Sequence, residues 1–325
     1  MLYNKLFLLF ILSVAFQDVM CLLESPVVVV GGTGRVGRTI VKDLLARGVE
    51  TRCLVRDIEK ASNIEEIKGV KFVEGNVYDI NSMLEVTKDA GAVIDCHGVS
   101  PPRFSKPIDI FRHPRNANNH PYTINFIGTK TLITAMTLNK CRKLVRVTGA
   151  LTGKSPFVFA TALFNLILSM TCKWHERSEI AIRESGLDYT VIRPTGIRDV
   201  PCAKDNNRSL LLIPGDSEEQ VPLPGQISVK DVAELCVTSL LDATLTKSTV
   251  VISSIEGAEG ARDWNSLIPT KVKPDTIPIK RRWHNLATTL MGFSVASFIA
   301  LFGKGLTVLS SFFFRMIRKA ILNVA

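Results

Sequence analysis

Three glycines, Gly31, Gly34 and Gly37, are spaced so that a chain leaving a strand can turn tightly and open a helix whose amide N–H groups point outward. Gly31 permits the turn, Gly34 lets a pyrophosphate approach the backbone, and Gly37 lets helix and strand pack closely. The chemistry this spacing suits is the holding of a dinucleotide's phosphates on a helix N-terminus. At the end of the next strand stand Arg56 and Asp57, where such a unit faces the adenosine ribose. An acid there binds a 2′-hydroxyl, whereas an arginine accommodates a 2′-phosphate. Arg56 comes first, and Arg35 inside the glycine loop is a second phosphate partner, so NADP(H) is favoured and NAD(H) is the alternative. The other reading makes both arginines solvated surface charges.

These residues need a scaffold, and the chain supplies one in order. The four consecutive valines at 27–30 are too apolar for a half-wet strand and read as one buried on both faces of a parallel sheet. A helix follows, with apolar residues at Val36, Ile40, Val41, Leu44 and Leu45, and Gly48 stops it. Strands are expected at 50–57, 70–77, 92–98, 143–149, 188–194 and 249–252, with helices at 58–68, 80–88, 122–139, 174–184 and 229–242. This alternation gives an α/β fold, a doubly wound Rossmann-type parallel sheet over 25–262. The third strand ends at Asn76 and Val77, which either meet an adenine or form a simple turn. The fourth ends at His97 and Gly98, on the carboxyl edge where ligands of open α/β folds bind. Residues 99–121 hold five prolines and read as a substrate lid or a plain surface loop. The apolar run 157–172 is short for a membrane span and suits a buried or interfacial helix.

The glycine loop, Leu54-Val55-Arg56-Asp57, the run from Ser185 to Pro194 (Ser-Gly-Leu-Asp-Tyr-Thr-Val-Ile-Arg-Pro) and Ile227-Ser228-Val229-Lys230-Asp231-Val232-Ala233 together resemble the atypical short-chain dehydrogenase/reductases. Within that superfamily they are similar to the NmrA-like, plastid-type NAD(P)-binding branch. The resemblance implies that Thr33, Arg35 and Val36 join the glycines at the pyrophosphate and 2′-phosphate. It also implies that Arg56 holds the adenosine end, that Asn76 and Val77 contact adenine, and that His97, Gly98 and Asn125 line the path to the nicotinamide. Active relatives use a Ser, a Tyr and a Lys four residues after the Tyr. A free Tyr titrates at about 10 and needs a nearby cation to act near neutrality. Counting back from Ser185-Gly186, the Tyr position holds Thr171 and the Lys position holds His175, and the fifth strand ends Thr148-Gly149-Ala150. His175 is the candidate for proton transfer, with Glu176 or Glu179 to tune it; a packed or surface histidine is the other reading. The chain is thus expected to be an NADPH-dependent oxidoreductase with a degraded Ser/Tyr/Lys triad, or a non-catalytic redox-sensing scaffold or assembly factor for plastid membrane complexes.

The 325 residues are 46% hydrophobic with a formal net charge of +10. Nine of the 40 Lys and Arg fall in 271–325 beside a single acid, Asp275. A near-neutral body with a basic tail excludes the charged folded face of a nucleic-acid-binding domain and suits an anionic membrane surface. Residues 263–285 read as a basic linker and 286–325 as a membrane-associated helical tail, in which 286–302 carry no charge. That tail is expected to be a short transmembrane helix, an interfacial hairpin on lipid, or a helix docked on the protein itself. A membrane protein complex is a further expected partner, and the small-molecule substrate is left open. The seven cysteines contain no Cys-x-x-Cys pair, which speaks against a disulfide framework and a zinc site, and no metal is expected. At the other end, Lys5 precedes the apolar run 6–12, so 1–22 read as a signal peptide or signal anchor. The Ala15-Phe16 junction resembles the bipartite targeting signals of algae with complex plastids. Plastid is therefore favoured, with the endoplasmic reticulum membrane as the alternative.

Overall fold

The computed structural model describes residues 26–99, 103–115, 117–205, 207–215, 225–257, 259–276 and 283–302. The signal segment 1–22 and the tail beyond 302 lie outside the described residues.

β1 (Val27–Val30) is fully buried: Val27 and Val29 enter one core, while Val28 and Val30 enter the core on the opposite face. Burying each valine contributes about 1.5–3 kcal/mol, which is why this strand sits in the middle of the sheet. α1 (Arg35–Ala46) buries Gly37, Ile40, Val41 and Leu44, a helical stripe, against that sheet. Then come β2 (Thr51–Val55), α2 (Ile58–Ser62), β3 (Lys71–Glu74), α3 (Ile80–Thr87) and β4 (Ala92–Asp95). A short α4 (Ile108–Phe111) precedes a π-helical turn at Tyr122–Ile127 that runs into α5 (Gly128–Leu138). The second half adds β5 (Lys143–Val147), α6 (Phe159–Ile167), α7 (Thr171–Glu184), β6 (Asp188–Pro194), β7 (Gly196–Arg198), β8 (Arg208–Pro214), β9 (Gln226–Ser228), α8 (Val229–Leu241) and β10 (Ser248–Glu256). Last are α9 (Ile268–Lys271) and α10 (His284–Phe302).

Among the described residues the ten strands form one sheet in the order β3-β2-β1-β4-β5-β6-β10-β9-β7, with β8 antiparallel on β10. The chain order reverses between β1 and β4, so the carboxyl ends of these two strands frame the crevice in which open α/β sheets take their ligands. The expected doubly wound fold is therefore present.

Three details depart from the sequence expectations. β7, β8 and β9 are short or edge strands that local pattern does not reveal. The apolar run 157–172 does not form one helix: it breaks between α6 and α7, where Ser169 and Met170 adopt left-handed backbone. The stretch 263–275, expected as linker, is packed on the body. Trp264 is buried and donates from its indole nitrogen to Asp231 O at 2.9 Å, and Asp275 pairs with Arg183 at 3.1 Å.

The tail expectation also needs correction where it can be seen. Among the described residues no helix is long and apolar enough to cross a membrane. The first turns of α10 instead dock on the protein. His284 is buried, donates through Nε2 to Glu176 at 2.7 Å and accepts at Nδ1 from Asn165 at 2.8 Å. Lys173 reaches Asn285 at 2.7 Å.

Candidate functional site

The crevice begins at the glycine loop. Gly31 has φ +88°, and a Cβ there would lie 2.8 Å from His97 N. A Cβ on Gly37 would lie 2.1 Å from Gly31 O, so only glycine lets α1 come this close to the loop. α1 opens at Gly34 without a side-chain cap and without an acid in its first turn. Its leading N–H groups are thus left for an anion, and the residues present fit a bound pyrophosphate. Thr33 is exposed on this loop, and Val36 packs against the core. Arg35 leans away from the helix axis: Nη2 donates to Ile197 O at 3.0 Å and Nη1 meets Asp199 at 3.4 Å. That contact bridges the loop to β7.

At the end of β2 the two charged candidates separate in role. Asp57 is the N-cap of α2 and accepts from Lys60 N at 2.9 Å, so its carboxylate is already engaged. Arg56 is exposed and has no hydrogen bond or ion pair among the described residues. Beyond β3, Asn76 O accepts from Asp79 N at 3.0 Å, closing a turn. Val77 sits against α5, where a Cβ on Gly128 would come within 2.9 Å of its Cγ2 and 3.1 Å of His97 Nε2. Gly128 therefore lets the π-helical turn approach the crevice, and such turns recur at functional sites.

The deep wall is a buried charged cluster. Asp95, at the end of β4, meets His97 Nδ1 and pairs with Arg146 of β5 at 2.8 Å. Burial alone would raise the Asp95 carboxyl, but Arg146 and then His97 outweigh it and hold it below the usual range. His97 Nε2 donates to Ile124 O at 2.8 Å while Nδ1 meets Asp95, so the ring is held from both sides, and Arg146 donates to the His97 backbone carbonyl at 3.1 Å. Beside it, buried Asn125 donates through Nδ2 to His175 Nε2 at 3.2 Å, and its Oδ1 is buried without a partner. Gly98 is open, its nearest neighbour being that same Oδ1 at 4.0 Å from where a Cβ would stand. His175 is pushed down to about 3, first by burial and then by the charges of Arg146 and His97. It is a neutral ring across the physiological range, with Nδ1 buried and unbonded.

The remaining positions of the expected triad are occupied otherwise. Thr148 donates to Glu179 at 2.6 Å, and Glu179 is clamped by Arg193 Nε at 3.1 and 3.2 Å. Thr171 opens α7 and carries no group that titrates near neutrality. No His, Cys, Asp and Glu cluster among the described residues could hold a metal ion.

The structure thus brings Gly31, Val77, His97, Gly98, Asn125 and His175 around one crevice, with Gly34, Arg35 and Gly37 at its phosphate end and Arg56 at its outer rim. Sequence reasoning missed Asp95, Arg146 and Arg193, and it set Glu179 to tune His175, whereas Glu179 binds Thr148 and Arg193. The available signal was a single charge inside an otherwise apolar strand, as in Leu-Val-Arg-Val and Val-Ile-Arg-Pro. Such a charge must find a partner when buried.

Comparison with known proteins agrees with this geometry. Residues 31–243 match the family model for NAD(P)H-binding. Over 244 residues the chain is 29% identical to the chloroplastic protein TIC 62 of Arabidopsis thaliana, covering 70% of this chain and 35% of that protein. It is 29% identical over 174 residues to the photosystem II assembly factor Ycf39 of Cyanophora paradoxa, covering 52% of this chain and 45% of that one. The chain therefore spans roughly a third to a half of these relatives' length. Its fold is similar to that of a short-chain dehydrogenase/reductase from Veillonella parvula solved in complex with NADP, with TM-score 0.51, 16% identity, and 70% and 94% of the two chains covered. The chain belongs to the NAD(P)H-binding family, in the plastid-type branch of the atypical short-chain dehydrogenase/reductases.

Proposed function

We propose that this chain is an NADP(H)-dependent oxidoreductase that works without a titrating side chain at the reacting face. The observation that carries the cofactor choice is the division of labour at the end of β2: Asp57 is engaged as a helix cap at 2.9 Å, and the exposed Arg56 beside it has no partner among the described residues. On this reading Gly31, Gly34, Gly37 and Thr33 hold the pyrophosphate, Arg35 and Arg56 the 2′-phosphate, Asn76 and Val77 the adenine, and His97, Gly98 and Asn125 the nicotinamide end. The bound nucleotide would supply hydride. The protein's own contribution is positioning: the orphaned Oδ1 of Asn125 offers an acceptor at the crevice floor, and the Asp95-His97-Arg146 cluster fixes the ring that faces the glycine loop.

His175, the candidate proton donor, is better read as a positioning residue. A ring pushed down to about 3 is neutral near pH 7, and the N–H it keeps is too weak an acid to serve as the donor. The substrate's proton would then come from solvent.

That same observation favours a second reading, a nucleotide-sensing scaffold or assembly factor, in keeping with the Ycf39 relative, a photosystem II assembly factor. The chloroplastic names of relatives support a plastid setting, and the basic, apolar segment 286–325 supports a membrane tether. Oxidation of NADPH by the full chain against quinone, flavin and tetrapyrrole acceptors tests the enzyme reading. Turnover above a Gly37→Ala control supports it. Tight nucleotide binding without turnover on any acceptor favours the scaffold.

A further inference from the structure

The body carries a face that water does not suit. Phe104, Phe111, Phe157, Phe159, Trp283 and Phe293 are all between 52% and 71% exposed. They come from three segments that the fold stitches together. Ser105 N donates to Ile167 O at 2.8 Å, joining the loop before α4 to the end of α6. Asn165 of α6 bonds His284 at 2.8 Å, and Gly292 of α10 lies against Leu166, 3.7 Å from where its Cβ would stand. α10 then leaves the body. Phe293, Val295 and Phe298 are exposed along a stretch of helix that carries no charge. An exposed apolar surface of this kind is one that something else covers.

The charges around this face say what that is. Across 149–175 and 283–302 there is no acidic residue, and across 103–115 the single acid is Asp109. Asp109 is buried and held by Arg103 and by Lys106 N at 2.7 Å, so it shows no negative charge outward. Lys106, Arg112 and Arg115 are exposed among the phenylalanines. Apolar rings interleaved with unopposed cations match an anionic bilayer surface, whose headgroups attract the cations while its acyl boundary takes the rings. A protein partner would instead call for matched polar groups at the rim.

We infer that loop 103–112, the start of α6 and α10 form one monotopic docking face for an anionic lipid bilayer. The folded body itself lies on the membrane, whatever the segment beyond 302 does. This rests on the fold alone and not on the nicotinamide reading.

The test uses the full chain and vesicles of phosphatidylglycerol mixed with phosphatidylcholine. Combined Phe104→Asp, Phe111→Asp, Phe157→Asp and Phe159→Asp should lower vesicle partition by about tenfold or more, while leaving NADPH binding unchanged as the sign of an intact fold. Unchanged partition would overturn the proposal. A second measurement needs no variant of the face. Trp174 and Trp264 are buried, so Trp283 is the tryptophan that brominated lipid can reach. Bromolipid quenching should appear with anionic vesicles, weaken on Lys106→Ala, Arg112→Ala and Arg115→Ala, and vanish in Trp283→Phe. If only the far end of the chain inserts, Trp283 lies roughly 28 Å along the helix from residue 302 and stays unquenched, which contradicts the proposal. So does a lipid-independent dimer that the four aspartates dissociate, since a second copy would then own the face. Failure of NADPH to bind leaves this inference standing and removes only the cofactor reading.

Discussion

Asn125 donates through Nδ2 to Nε2 of His175 at 3.2 Å, which makes the histidine ring an acceptor on the side that faces the crevice. An acceptor nitrogen is an unprotonated one, and the same ring is pushed down to about 3 by burial and by the cations behind it. Geometry and electrostatics therefore agree that the His175 ring is electrically neutral, close to the charged Asp95-Arg146 pair.

This neutrality has a consequence for stability against pH. A histidine whose folded value lies below its free value of about 6.5 adds stability above that pH and loses it as the pH falls toward about 3. Allowing for solvent on the ring's exposed side, roughly 3 kcal/mol is at stake. The melting temperature should fall more steeply from pH 6.5 to pH 4 in the parent than in His175→Gln. His120, lowered to about 4, contributes in the same sense to both proteins and cancels in the comparison. Parallel curves would contradict a neutral His175.

The glycine loop admits a direct steric test. A methyl on Gly37 would stand 2.1 Å from Gly31 O, and that atom is backbone, so the helix itself must move. Gly37→Ala is expected to cost about 3 kcal/mol and to abolish nucleotide binding. A thermal scan with an NADPH titration measures both, and wild-type binding would rule out the loop as the phosphate site.

Arg146 is the counter-ion that keeps Asp95 ionised in the core, at 2.8 Å. Arg146→Leu leaves a buried carboxylate without its main partner, so a loss of about 3–5 kcal/mol is expected. The Asp95 carboxyl should rise, readable by NMR titration of its side chain. The double change Arg146→Leu with Asp95→Asn should recover part of the stability, because it removes the stranded charge. No recovery would mean that the pair does not act as a unit.

The docking of α10 is predicted to hang on one histidine. His284 bonds Glu176 at 2.7 Å and Asn165 at 2.8 Å within a buried junction. His284→Ala should remove one buried partner of Glu176, loosen α10 and speed its proteolytic release from the body. Unaltered cleavage rates would show that packing of Ala287 and Thr288 suffices to hold the helix.

How much of this was legible in the sequence follows from the range of each interaction. The core strands were readable because the valine run at 27–30 and the glycine triplet carry their information locally. The break between α6 and α7 was not. Ser169 holds left-handed backbone because Arg103 donates to its Oγ at 2.6 Å and its own N–H donates to Ser105 at 2.6 Å. Those partners lie more than sixty residues away. β7–β9 escaped for a similar reason: β7 and β9 are three-residue strands defined by the edge they join, and β8 is set by its antiparallel pairing with β10. The candidate crevice was half legible. The cofactor positions follow a local motif, while Asp95, Arg146, Glu179 and Arg193 make sense only as pairs across strands and helices.

The open Arg56 beside an engaged Asp57 should select a 2′-phosphorylated nucleotide. Isothermal titration of the full chain with NADPH and NADH measures that preference. NADPH should bind at least about tenfold more tightly, and Arg56→Ala should erase that margin by weakening NADPH alone, as loss of a charge-assisted contact of about 1.5–3 kcal/mol requires. Equal affinity for the two nucleotides, or no binding of either, would show that Arg56 does not read a 2′-phosphate.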